Sequence, residues 1–86
     1  MSELCHFYGI RIYVYFNDHA PPHIHAIYGE YQAQIAIDDG CVLSGSLPHR
    51  ARRMVKKWLE QRREEVAEAW HKASVREDPG KIDPLT

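Results

Sequence analysis

The sequence predicts an α+β domain: a small antiparallel sheet of three to four strands, with one long C-terminal helix, or two abutting ones, packed on one face. Three observations predict it. Residues 6–45 are rich in β-branched and aromatic side chains in alternating pattern, punctuated by turn residues. Residues 48–75 carry apolar side chains at helical spacing. Eighty-six residues hold one core only, so sheet and helix must share it within a single domain, 1–86.

Residues 7–16 read as the first strand. Tyr8, Ile10, Ile12, Val14 and Phe16 fall on the greasier, core-facing side, and Phe7, Gly9, Arg11, Tyr13 and Tyr15 on the other. Gly9 either admits a close backbone approach or relieves crowding. Residues 17–22 are a loop, because Pro21 and Pro22 cannot donate to a ladder. Residues 23–28 and 31–38 then form a hairpin around Gly29-Glu30, with glycine where a type II′ turn requires it. That register pairs Tyr28 with Tyr31, Ala26 with Ala33 and Ile24 with Ile35 on the inner face. His23 and His25 are thereby expected to face outward, with Gln32 and Gln34. Asp38-Asp39-Gly40 is a further turn and residues 41–43 a short edge strand.

Ser46-Leu47-Pro48 opens the helix, Ser46 as cap and Pro48 in the first turn. Its stripe is Ala51, Met54, Val55, Trp58, Leu59, Val66, Ala69, Trp70 and Ala73. The stripe weakens at Arg62, and one straight rod would outrun the sheet, so a bend is expected near residues 61–64. Asp78-Pro79-Gly80 ends helical structure, and residues 76–86 read as a tail. One sheet face is left with nothing to cover it. It carries Arg11, Tyr13, Tyr15, His23, His25 and Gln34.

Composition narrows the function classes. Hydrophobic content of 44% and charged content of 27% suit a soluble globular protein, and no apolar run reaches membrane-spanning length. The first residues show neither a basic nor an apolar leader segment, so a cytoplasmic location is expected. Cys5 and Cys41 are too few for a disulfide framework and lack zinc-knuckle spacing, so both read as half-buried thiols. The net charge of -1 conceals segregation: residues 49–63 hold seven basic side chains against Glu60 alone. A polyanion would meet a local patch, of which Arg52 and Lys56 lie along one helix side. A solvated helix face with Glu60, Glu64 and Glu68 in ion pairs explains the same pattern.

Asp18-His19-Ala20-Pro21-Pro22-His23-Ile24-His25 gathers three of the six histidines beside a stiff Pro-Pro pair. Three chemistries fit these residue types. His23 and His25 can serve as base and acid in metal-independent RNA cleavage, with Arg11 on the phosphate, His19 in support and Tyr13 or Tyr15 stacked on a base. His19, His23 and His25 with Asp18 can instead hold a divalent metal such as zinc, since two histidines at i and i+2 share a strand face. The same tyrosine- and arginine-bearing face also suits a protein partner.

Phe7-Tyr8-Gly9-Ile10, Tyr15-Phe16, Asp18-His19, Pro21-Pro22-His23-Ile24-His25-Ala26 and Tyr28-Gly29 together resemble an uncharacterised bacterial domain-of-unknown-function family of small FYGI…DH-x-PPH-x-HA-x-YG proteins. The resemblance continues through Leu47-Pro48, Trp58 and Trp70. Members often carry Phe where this chain has Ile24. The resemblance implies a gene pair similar to a type II toxin–antitoxin module, with this chain as the toxin-like member and a small antitoxin-like protein from a neighbouring gene as its partner. Asp18, His19, Pro21, Pro22, His23 and His25 are the positions matching the family motif.

Overall fold

The computed structural model describes residues 2–16 and 18–86; Met1 and Asn17, the latter the first residue of the predicted loop, lie outside them. Five strands form one antiparallel meander in the order β1-β2-β3-β4-β5: β1 Ser2–Phe7, β2 Ile10–Val14, β3 His23–Tyr28, β4 Tyr31–Ala36 and β5 Val42–Gly45. A single helix, α1 His49–Ser74, follows.

The sheet is one strand larger than predicted because residues 7–16 are not one strand. Tyr8 and Gly9 form a two-residue turn between the partners Phe7 and Ile10, both with positive φ (48° and 81°), the pattern of a type I′ hairpin. A tyrosine in the left-handed region is uncommon, so the turn hides inside an apolar alternation. Tyr8 consequently points to solvent, as does Phe16, whereas Ile10, Ile12 and Val14 are buried as expected. The β3–β4 hairpin has the predicted register, with Tyr28 on Tyr31, Ala26 on Ala33 and Ile24 on Ile35, and Gly29 takes the required positive φ of 58°.

The inner face supplies Ile10, Ile12, Val14, Ile24, Ala26, Ala33 and Ile35 to the core, and α1 supplies Ala51, Val55, Trp58, Leu59 and Val66. The helix is interrupted at Arg62, whose φ of -132° and ψ of 27° are not helical. A straight helix of 26 residues would run about 39 Å, longer than the 32 Å extent of the molecule. The bend lets the second half keep Val66, Ala69 and Ala73 in the core. Pro48 is itself the N-cap, without a side-chain cap bond; Ser46 spends its backbone N–H on the Gln32 carbonyl.

Residues 76–86 have no helix or strand, yet they are not a loose tail. Ile82 and Leu85 are buried, the Ile82 N–H bonds the Leu4 carbonyl, and the Trp58 indole Nε1–H donates to the Asp83 carbonyl at 2.8 Å. Cys5 is buried as a core thiol, whereas Cys41 is exposed rather than half-buried.

Candidate functional site

The Pro21-Pro22 corner delivers the chain into β3 at His23, and the loop before it returns Asp18 over the start of that strand. Asp18 is the hub. Its Oδ1 accepts the His19 backbone N–H and the His19 Nδ1–H, each at 2.9 Å. Its Oδ2 accepts the His25 Nε2–H at 2.9 Å and stands 3.1 Å from His23 Nε2. Burial alone would raise the Asp18 carboxyl. The His25 and His19 hydrogen bonds, with the attraction of His23 when its ring is cationic, outweigh it and pull the group from 3.8 to about 2.

His23 differs from the expectation that it faces water. Its ring is 1% exposed. It packs against Trp70 of the bent half of α1, with ring centroids 5.1 Å apart, and against His25 at 4.9 Å. Its Nδ1 lies 2.7 Å from the Pro21 carbonyl, which can only accept, so Nδ1 carries the proton. Nε2 is buried and, among the described residues, makes no hydrogen bond, because Asp18 Oδ2 is near in distance but off its axis. His25 is largely covered too, stacked flat on Tyr15 at 4.0 Å and 5°. His19 is the open one, its side chain 74% exposed.

Asp18, His23 and His25 each offer one ligand atom within 4.8 Å of the others, so these three residues can hold a metal; His19 is outside that set. An acid–base pair of His23 and His25 fits less well. Trp70 shields His23 from any substrate large enough to be an RNA, and only His25 and His19 retain access.

The remaining candidates are dispersed. Arg11 is exposed but bound to Glu3 at 2.9 Å, with its guanidinium 5.8 Å over the Tyr13 ring. Tyr13 is itself buried between its cross-strand neighbours Glu3 and His25, so it offers no free stacking face. Gln34 is half-buried opposite His25. Arg52 and Lys56 lie elsewhere, on α1, with His49, Arg53, Gly40, Cys41 and Val42 around one groove. A second groove is lined by His49, Arg50, Arg53, Met54 and Lys57.

Sequence reasoning gave Asp18 a minor place, although it touches all three histidines. The signal available was the acid just before His19 and the two prolines that fold it back. Neither Trp70 nor the Pro21 carbonyl carried any sequence signal for this site, because helical spacing marks Trp70 only as core.

Residues 9–71 match the model of a family described as Domain of unknown function (DUF4160). No curated protein and no solved structure matches the chain.

Proposed function

This chain belongs to the DUF4160 family, and from that premise we propose that it is a toxin-like effector directed at RNA and neutralised by a small partner protein. The observation that carries the RNA part is the bare cationic ridge on the first half of α1. Among the described residues, Arg50, Arg52, Arg53, Lys56 and Lys57 form no ion pair. The two grooves flanking the ridge have no carboxylate in their lining. Of the acids expected to neutralise this face, Glu68 pairs with Lys72 in the other half of the helix, and Glu60 and Glu64 form no ion pair among the described residues. Unpaired cations along a groove bind phosphate backbones with little regard to sequence. The pairing with an antitoxin rests on the family resemblance.

The test has two arms. Expressed alone, the chain arrests growth, and co-expression of the neighbouring gene restores it; normal growth at verified expression removes the toxin reading. In vitro the protein binds mixed-sequence single-stranded RNA with a steep salt dependence. Reversing Arg50, Arg53 and Lys57 to Glu lowers the log–log salt slope by about two, since each phosphate contact contributes about 0.7. An unchanged slope removes the RNA reading.

A second reading, a non-enzymatic protein-binding module, is favoured by a different observation. Tyr8, Tyr28 and Tyr31 are all exposed at one end of the sheet, around the two hairpin turns. Tyrosine is a favoured interface residue. A non-toxic complex that is lost on Tyr8→Ser and Tyr31→Ser, and kept on His25→Ala, selects this reading.

A further inference from the structure

We infer that Asp18, His23 and His25 form a three-ligand site for a divalent transition ion of the zinc class. The argument begins with the buried Nε2 of His23. Because Nδ1–H is committed to the Pro21 carbonyl, the neutral ring presents a lone pair at Nε2. That lone pair lies 3.1 Å from an oxygen of an ionised carboxylate, in a place 1% exposed to solvent. Two lone pairs so close repel unless a cation serves both. A proton is a poor fit, since Oδ2 is off the ring axis and Nε2 has no aligned partner among the described residues. A metal is not confined to the line between its ligands. It sits to one side, where both lone pairs converge.

The distances agree. Tetrahedral ligands with bonds of about 2.1 Å stand about 3.4 Å apart. The Nε2 atoms of His23 and His25 stand 3.1 and 2.9 Å from Asp18 Oδ2, and all three ligand atoms lie within 4.8 Å of one another. Each nitrogen needs to move only a few tenths of an ångström away from Oδ2, and the two nitrogens, within 4.8 Å of each other, settle to the same spacing around the ion. On binding, the neutral His25 ring shifts its one hydrogen from Nε2 to Nδ1 and presents the Nε2 lone pair to the ion.

The surroundings are those a metal site needs. The Pro21 carbonyl fixes the His23 tautomer and aims Nε2, as outer partners of metal-bound histidines do. Tyr15 holds the His25 plane by stacking, and Trp70 walls off His23. His19 engages the other carboxylate oxygen, Oδ1, from both its backbone and its ring, which leaves Oδ2 for the ion. His19 is therefore a positioning residue. Asp18 and His25 keep 12% and 14% of their side chains accessible, so an ion can enter. Two imidazoles and one carboxylate suit zinc, and three protein ligands leave a coordination position for water or an oxygen-donor ligand.

The test is zinc and cobalt(II) binding to the purified full-length chain after chelator treatment. The expected result is one equivalent bound, visible absorption bands from low-coordinate cobalt(II), and a rise in Tm on zinc addition. Asp18→Asn and His25→Gln each weaken binding by on the order of a hundredfold, and His19→Ala by about tenfold with stoichiometry kept. His49→Ala, far along the chain on α1, leaves binding unchanged. Circular dichroism of the metal-free variants verifies that they fold. Binding that survives Asp18→Asn and His25→Gln in folded protein, or no binding above that of an unrelated histidine-bearing control, overturns the inference. Because the readout is metal content and not RNA affinity, this outcome is independent of the effector reading.

Discussion

Replacing Asp18 by Asn tests the charge logic of the histidine cluster in the metal-free protein. The Asp18 side chain is 12% exposed, and its two oxygens meet His19, His23 and His25. Burial opposes its ionisation, but these partners win and hold the carboxyl at about 2 against an ordinary 3.8. At about 1.4 kcal/mol per pKa unit, the ionised carboxylate adds roughly 2 kcal/mol to the folded state. The sign follows from the depressed folded value. The stabilisation is complete above the unfolded value, near pH 4, and is lost as pH falls through the folded value, near pH 2. Asn keeps the shape and removes the charge. The variant is therefore less stable than the parent by about 2 kcal/mol at pH 7, or roughly 10 °C in Tm for a domain of this size. The gap closes between pH 4 and pH 2. Urea unfolding followed by tryptophan fluorescence, in chelator and across this pH range, measures it. Equal stability at pH 7, or a gap that does not change down to pH 2, refutes the assignment of Asp18 as the ionised hub.

Two further outcomes follow from the fold. Gly45→Ala costs more than about 2 kcal/mol, because φ is +75° and a Cβ would press on the Gln32 carbonyl oxygen where β5 ends opposite Ala33; Gly29→Ala, at φ +58° with nothing within 4 Å, costs only about 1 kcal/mol, and equal costs in urea unfolding refute the clash. Burial pushes the Cys5 thiol up to about 12, whereas Cys41 is exposed and raised mainly by its hydrogen bond with Asp39. A thiol reagent at pH 8 therefore modifies Cys41 first and Cys5 only as the protein unfolds, and equal rates would contradict the buried placement of Cys5.

Local chemistry was legible wherever one residue type dictates one backbone. Gly29 set the type II′ turn, and that turn set the β3–β4 register pair by pair. Pro21 and Pro22 kept the loop out of the sheet and postponed the next strand to His23. The weakened stripe at Arg62 marked the bend. The Tyr8-Gly9 turn was not legible, because tyrosine rarely adopts positive φ and the surrounding alternation continues unbroken through it. The packed course of residues 76–86 was hidden for a related reason: Ile82 and Leu85 are isolated apolar residues with no periodicity to reveal that β1 and Trp58 await them.

The sequence by itself determined which groups meet near β3: an aspartate, three histidines and a proline corner within eight residues must lie close together whatever the fold. It also determined that the cations concentrate on the first half of the helix. Only the tertiary structure decided that His23 is sealed beneath Trp70 while His19 stays open, and that Arg11 and Tyr13 are engaged elsewhere. The reason is physical. Alternation along a strand tells which way a side chain leaves the sheet, but whether water or an indole meets it there depends on how a helix nearly fifty residues away is bent.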